Sequence, residues 1–478
     1  MTPFDRFAAS LAHPDLIETL RSGLIGEGVQ IPGPRGSNPL IYADYVASGR
    51  ALTQVEDFIR TQILPFYANS HTEASYCGQM MTRLRHRARQ IILKSCGADD
   101  QYDVIFTGAG ATAGLNRLVG LLGGGAAART PEKPLVLIGP YEHHSNILPW
   151  RESGAEVVEI PEADDGGPDL DILRATLQAH RGRKIVGAFS AMSNVTGIVT
   201  DVKQVTRVLK AHGALSIWDC AGSAPYLPID LTGDGDAQID AIVASPHKFI
   251  GGPGASGILI LRRDGFARRT PTVTGGGTVK FVSPWGHEYS DDVTAREEAG
   301  TPNVIGDLRA ALCFMVKDAM GQTYHRQRLE ALRQRAQTAW ADVPNLHILG
   351  NLAARRMPIF SFIVTAADGT PVHQQLVTRM LSDFHGVQAR GGCACAGPYA
   401  HRLLGIDQAQ SERLRADIQA GNEIEKPGWT RLGFSALMSD AKADRIIDAV
   451  SQVARHAGAD QCLYRVDQAT ARFSLEAA

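Results

Sequence analysis

Between residues 100 and 262 the chain alternates short Val/Ile-rich runs with stretches of helical spacing, and this rhythm restricts the fold more than any other feature. The apolar runs are Val104–Thr107, Leu135–Gly139, Val157–Ile160, Ile185–Ser190, Ala214–Asp219, Ala241–Ser245 and Gly257–Leu261. Most are apolar on both faces, as strands of a buried parallel sheet are. One intervening helix is explicit: Asp201 is its cap, Val202, Val205, Val208 and Leu209 its apolar stripe, and Gly213 its stop. A β-α-β repeat of this kind predicts an open α/β sheet, mostly parallel, with helices on both faces. Ligands of such sheets sit beyond the carboxyl ends of the strands.

From about residue 306 the pattern changes. Gln322–Asp342 is rich in Arg and Gln with helical spacing, Met357–Val364 reads as a strand, and Val372–Asp383 as a helix. Ser439 opens a final amphipathic helix through Ile446, Ile447, Val450 and Val453. The expected organisation is a large domain over 40–305. A smaller α+β domain takes 306–478, with residues 1–39 packed on it as an N-terminal arm. No role is legible for the tail from Ala459, and there is no internal repeat.

Charge and cysteine usage exclude several classes of function. With 48 basic and 50 acidic residues the formal charge is −2, which speaks against nucleic acid or an anionic membrane as main partner. No apolar run approaches the roughly 18 residues that span a bilayer, and Met1–Leu11 lacks the basic and apolar blocks of a signal peptide. The seven cysteines are scattered (77, 96, 220, 313, 393, 395, 462), unlike a disulfide framework, so a reducing cytoplasm is expected.

Candidate site residues follow the strands. Val104–Gly114 reads as strand, glycine turn and helix start, where N–H groups of Ala111 and Thr112 can hold a phosphate. Gly108-x-Gly110-x-x-Ala113 also fits a loose dinucleotide fingerprint, but no acidic residue ends the next strand. Asp219 ends its strand as either a turn cap or the partner of a cofactor ring nitrogen. Ser245-Pro-His247-Lys248 precedes a glycine loop; Lys248 is either a solvated loop lysine or one whose neighbouring cation favours Schiff-base chemistry. In Tyr141–Asn146 the paired His143 and His144 suggest a metal, for which no Cys or carboxylate apart from Glu142 lies at ligand spacing, or one imidazole stacked on a planar cofactor. Arg390-Gly-Gly-Cys393-Ala-Cys395 places two thiols two apart, which suggests metal binding or a redox pair. No second C-x-C or C-x-x-C completes a structural zinc site, and the neighbouring cation favours an exposed thiolate. Inert packing of small residues is the alternative.

Taken in order, these segments resemble the class V, fold-type I enzymes dependent on pyridoxal phosphate, in particular the cysteine desulfurase and selenocysteine lyase branch. The resemblance runs over about residues 40–455 and rests on several motifs. They are Tyr42-Ala-Asp44, Gly110-Ala111-Thr112, Glu142-His143-His144-Ser-Asn146, Ser193-Asn194-Val-Thr-Gly197, Asp219, Ser245-Pro-His247-Lys248, Ala299-Gly-Thr301-Pro-Asn303, the Arg390/Cys395 spacing and Trp429-Thr-Arg431. It implies a three-layer α/β/α large domain and a cofactor joined to Lys248. His143 would stack on the ring, Asp219 would pair with its nitrogen, and Ala111, Thr112, Ser245 and His247 would hold the phosphate. Asn194 would contact cofactor and substrate, and Arg390 and Arg431 would serve the substrate carboxylate. Thr301 would reach the phosphate of a neighbouring subunit, hence a homodimer. Cys395 would attack the sulfur of L-cysteine to give a persulfide and L-alanine, with a protein as possible sulfur acceptor; L-selenocysteine is the lyase variant.

The chain departs from that pattern in places. Gly222 stands where Gln is usual, which removes a hydrogen bond to the cofactor, and Ala113 stands where Glu is common. The loop Asn69-Ser-His71-Thr-Glu73 lacks an expected basic residue, and the stretch from Cys395 to Arg431 is long. Cys393 is an extra thiol that could relay sulfur or form a resolving disulfide. An epimerase, lyase or aminotransferase of the same class would need Lys248 but not Cys395. A cofactor-binding relative without turnover and a nicotinamide-dependent oxidoreductase are further alternatives.

Overall fold

The computed structural model describes residues 1–70, 72–123, 133–266 and 268–475. His71, in the loop whose missing basic residue is noted above, lies outside the described residues. The chain forms two compact units, 1–25 with 48–192 and 200–323, and 26–47 with 193–199 and 324–478.

The first unit is built on seven strands: β1 (Tyr102–Gly108), β2 (Leu135–Ile138), β3 (Glu156–Glu159), β4 (Ile185–Ser190), β5 (Leu215–Asp219), β6 (Ala241–Ala244) and β7 (Gly257–Arg262). Their spatial order is β1-β7-β6-β5-β4-β2-β3. All pairings are parallel except those of β7, which runs antiparallel to both β1 and β6. The seven apolar runs are thus the seven strands of this mostly parallel sheet, and β2, β4 and β6 are buried along their whole length.

Helices cover the sheet because each carries one apolar face. Gly110–Leu121 lays Ala111, Leu115, Leu118 and Val119 into a core with Ile105, Val136, Ile217, Val243 and Leu259. Gly114 allows that approach, since a Cβ there would lie 2.9 Å from a Val243 methyl. Val202–Ala211 forms as its sequence predicts. The Asp201 carboxylate accepts from the Gln204 N–H at 2.9 Å, Val205, Val208 and Leu209 are buried, and Gly213 turns the chain at φ +71°. Helices Tyr76–Ser95 and Val304–Met320 are tied by buried Arg85, whose guanidinium meets Asp307 at 2.8 Å and Glu298 at 2.6 Å.

The second unit centres on an antiparallel sheet of β8 (Leu346–Ile348), β9 (Ile359–Thr365), β10 (Arg390–Gly392) and β11 (Trp429–Gly433), in the order β8-β9-β11-β10. Helix Gln374–His385 and the Ser439-capped helix Asp440–Asp460 bury their apolar faces in this unit. A short strand, Ile41–Tyr42, pairs parallel with 387–388, and Asp44 bridges to Gly433 at the end of β11.

The division differs from the one expected at 40 and 305. Residues 1–25 belong to the unit of the large sheet: Phe4 and Phe7 are buried and pack on Phe58. Helix Val304–Met320 also belongs there, held by the Arg85 pairs. Residues 26–47, by contrast, join the smaller unit. The tail without a legible role forms a hairpin, Tyr464–Asp467 with Arg472–Leu475, whose Tyr464 hydroxyl lies 3.2 Å from the Asp383 carboxylate. Among the described residues no helix is long and apolar enough to cross a membrane.

Candidate active site

In the first unit, β1 runs in the direction of the parallel strands, because it and β6 are both antiparallel to β7. The carboxyl ends of β1, β2, β4, β5 and β6 therefore share one edge, and the residues singled out in this unit follow four of those ends. Gly108 and Gly110 turn the chain at φ +76° and +62° into helix Gly110–Leu121. The Ala111 N–H donates to Ser245 Oγ at 2.9 Å, which joins the β1 turn to the end of β6. A Cβ on Gly110 would lie 3.0 Å from Ser245 Oγ and 3.7 Å from His247 Nε2. Only a residue without a side chain leaves that space open between the serine, the imidazole and the helix N-terminus.

After β2, Thr112, Ser145 and His143 form a chain. The Thr112 and Ser145 hydroxyls are 2.7 Å apart, and Ser145 Oγ lies 3.0 Å from His143 Nδ1. The Ser145 N–H also donates to Nδ1 at 3.1 Å, so Nδ1 is an acceptor and the ring proton of neutral His143 is assigned to Nε2. Beneath it lies Glu142, buried and accepting from the Gly139 and Ser190 N–H groups, the Ser190 hydroxyl and the Asn146 amide. Burial nevertheless pushes its pKa up to about 7, and the Asp219 charge adds to the rise.

Asp219 ends β5, in register with Ser190 on β4 and Val243 on β6. Its carboxylate accepts from the Ala221 N–H at 2.8 Å. Burial raises its pKa, while that N–H and the charge of Lys248 oppose the rise. Lys248 closes a one-turn helix, Pro246–Lys248, directly after β6. Burial, and then the Lys248 charge, lowers the pKa of His247, favouring neutral imidazole. The His247 carbonyl accepts from the Gly49 N–H at 3.0 Å, and a Cβ on Gly49 would overlap the Phe249 carbonyl. Thr301 is exposed in the loop that leads to helix Val304–Met320.

The remaining predicted residues lie in the second unit. Arg390 Nε meets the Asp44 carboxylate at 2.9 Å, and Arg431 Nη2 meets its other oxygen at 3.3 Å. Arg431 is buried and also donates to the Asn194 carbonyl at 3.0 Å, whereas Arg390 keeps 55% of its side chain exposed. The Asn194 amide donates to the Ala394 carbonyl at 2.8 Å, and its buried Oδ1 has no hydrogen-bond partner among the described residues. Cys395 is exposed and Cys393 half-buried.

Three supporting residues escaped sequence reasoning. Asp44 was legible only as part of an opening strand, yet it gathers both arginines. Glu142 carried no mark of burial beyond its place after an apolar run. Lys317, on helix Val304–Met320, donates to the Ala224 and Leu227 carbonyls at 2.6 and 2.5 Å and so pins the turn that follows Asp219. Nothing in its helical context signals that contact.

A sheet with a glycine cradle, a buried carboxylate and a lysine at one carboxyl edge defines an enzyme of the pyridoxal-phosphate class. The aminotransferase class-V family matches residues 41–426, and the chain belongs to that family. The probable cysteine desulfurase 2 of Mycobacterium leprae is 32% identical over 403 residues, covering 82% of this chain and 90% of its own. The cysteine desulfurase of Pectobacterium atrosepticum is 30% identical over 373 residues, 75% and 85% of the two chains. Among solved structures, the apo cysteine desulfurase of Thermococcus onnurineus superposes with a TM-score of 0.71 at 24% identity, over 87% of this chain and 94% of that one.

The enzymes of this family depend on pyridoxal phosphate, and the residues present fit that group. Gly110 leaves open the space that its Cβ would take from Ser245 and His247. Asp219 is a carboxylate at the end of β5 that can pair with a protonated ring nitrogen; the Ala221 N–H and the Lys248 charge favour its ionised form against burial.

Proposed function

We propose that this chain is a cysteine desulfurase that takes sulfur from L-cysteine, holds it as a persulfide on Cys395 and leaves L-alanine. The observation that carries this reading is an exposed thiol, Cys395, in the same unit as two arginines gathered by Asp44. That unit thus offers both a nucleophile for sulfur and planar donors for an amino-acid carboxylate.

Pyridoxal phosphate, when bound, supplies a ring that draws electrons from the substrate Cα. The Lys248 amine would hold that group and, when free, would take the Cα proton. Asp219 would pair with the ring nitrogen and help hold a proton there. Ala111, Thr112, Ser245 and His247 would hold the phosphate, the lowered pKa of His247 favouring its neutral form. His143, braced by Ser145 at Nδ1, supports the ring and moves a proton at Nε2. Arg431 and Asn194 orient the substrate, with Arg390 at the outer side, and Asp44 keeps both guanidinium groups in place. The Cys395 thiolate then attacks the substrate sulfur. We place the enzyme in the cytoplasm as a homodimer in which Thr301 serves the neighbouring subunit, with a protein thiol as one sulfur acceptor.

The test is an amino-acid panel, including L-cysteine and L-selenocysteine, scored for alanine and sulfide with wild type, Cys395→Ala and Lys248→Ala. Borohydride should trap cofactor on Lys248 in the first two. Cys395→Ala should keep the visible absorbance of bound cofactor and lose sulfide release. Undiminished alanine and sulfide from Cys395→Ala would move the chain to a class V activity that needs no thiol.

A further inference from the structure

Two cysteines share one tight turn. Gly392 ends β10 at φ +124°, and the Ala396 N–H then donates to the Cys393 carbonyl at 3.2 Å. The two residues enclosed, Ala394 and Cys395, have φ +54° and +55°. Positive φ at both central positions is the mark of the primed type I turn, which Asn-Gly, Asp-Gly or Gly-Gly normally fill. Here both positions carry a Cβ, in a region that L-residues avoid. Among the described residues only Asp234, between the positive-φ glycines Gly233 and Gly235, and Ala471 share that conformation without being glycine, so Ala394 and Cys395 are the one adjacent non-glycine pair.

The turn sets the distance between the thiols. An extended chain would hold the Cα atoms of Cys393 and Cys395 about 6.6 Å apart, at the outer limit of the roughly 4.4–6.8 Å that a disulfide spans. A reversing turn shortens that separation and brings the pair inside the range. Cys395 is exposed and Cys393 half-buried, so reagents reach both, while Cys96, Cys220 and Cys313 are buried. Cys77 and Cys462 lie on other segments, in helix Tyr76–Ser95 and in the turn Gln461–Leu463.

We infer that Cys393 is a resolving thiol: it attacks Sγ of the Cys395 persulfide, forms a Cys393–Cys395 disulfide and expels the terminal sulfur as hydrosulfide. This step rests on the reading of Cys395 as persulfide carrier. One S–S bond breaks as another forms, and its electron pair leaves with the terminal sulfur. The Cys393 proton passes to solvent. The zero-valent sulfur is reduced to sulfide, and the two cysteine sulfurs are oxidised to the disulfide. A dithiol reductant then restores both thiols, and a disulfide closed across so short and strained a loop is readily reduced. Sulfide can therefore leave without an acceptor protein, and turnover stops after one cycle unless a dithiol is supplied.

The experiment gives holoenzyme one equivalent of L-cysteine per subunit, anaerobically and without reductant, and quenches with acid. Alanine and sulfide are measured, and the tryptic peptide 391–402, which carries both cysteines, is weighed after iodoacetamide treatment. In wild type, sulfide should equal alanine, and the peptide should lack two hydrogens and resist alkylation. In Cys393→Ser, alanine should be unchanged, sulfide should fall at least tenfold, and the peptide should keep one added sulfur. Added sulfur retained equally by wild type and Cys393→Ser, with Cys393 alkylated in the wild type, would overturn the inference and leave the desulfurase reading standing. Added sulfur found on Cys393 would do the same, since it marks a relay. Alanine from neither protein would sink the desulfurase reading and this step with it.

Discussion

Glu142→Gln tests how far burial controls the floor of the site. The Glu142 carboxylate accepts four hydrogen bonds, two from the Gly139 and Ser190 N–H groups at 3.1 and 2.8 Å, the others from the Ser190 hydroxyl and the Asn146 amide at 2.7 and 2.5 Å. Each favours the charged form, yet loss of water outweighs them and lifts the pKa from 4.5 to about 7. At about 1.4 kcal/mol per pH unit, a rise of that size is worth about 3 kcal/mol of pH-dependent stability. The folded chain holds the proton more tightly than the unfolded one. The stabilisation is therefore fully present below pH 4.5 and is lost as pH climbs to about 7. Between pH 5.5 and 7 wild type should lose about 2 kcal/mol relative to Glu142→Gln, which has no proton to release. Urea unfolding of both proteins at matched pH, followed by hydrogen exchange of peptides spanning 135–146 and 185–190, isolates this group and its unit. Parallel stability curves from pH 5.5 to 8 would show that Glu142 ionises as a solvated carboxylate and would refute the burial argument.

Four other perturbations probe the cradle, the arginine pair and the turn that follows Asp219. Gly257→Ala places a Cβ 2.4 Å from the Gly110 carbonyl, a backbone atom that cannot yield, and should destabilise by about 2 kcal/mol. Gly110→Ala meets only the Ser245 side chain and a strained φ, so it should lower the melting temperature less but weaken cofactor retention on dialysis. Asp44→Asn removes the charge that both arginines share. The KM for L-cysteine should rise about tenfold, equivalent to about 1.4 kcal/mol of lost orientation, with kcat nearly unchanged; a fall in kcat alone would contradict the orienting role. Gly222→Gln should fold normally, within about 0.5 kcal/mol of wild type, because its Cβ would meet only Met192 atoms at 3.4 and 3.5 Å. It should also retain cofactor more tightly, as read from the absorbance left after gel filtration.

The sequence by itself determined the strands, the direction of the sheet and the residues that follow its carboxyl ends. Those features are local: apolar runs of the right length, an Asp201 cap, glycines where the backbone must reverse, and Asp219 and Lys248 each placed by the strand before it. Only the tertiary structure decided which distant groups meet. Arg390 and Arg431 converge on Asp44 across 346 and 387 residues, and no periodicity encodes such a pairing. The same holds for Glu142, whose raised pKa comes from the water it has lost and not from its neighbours in the chain. Phe4 and Phe7 join the large sheet's unit by burial against Phe58, whereas an N-terminal position alone suggested an arm on the smaller one. The left-handed turn at Ala394 and Cys395 was equally hidden. Its sequence lacks the glycine or asparagine that announces positive φ, so only the fold around it imposes the conformation that draws the two thiols together.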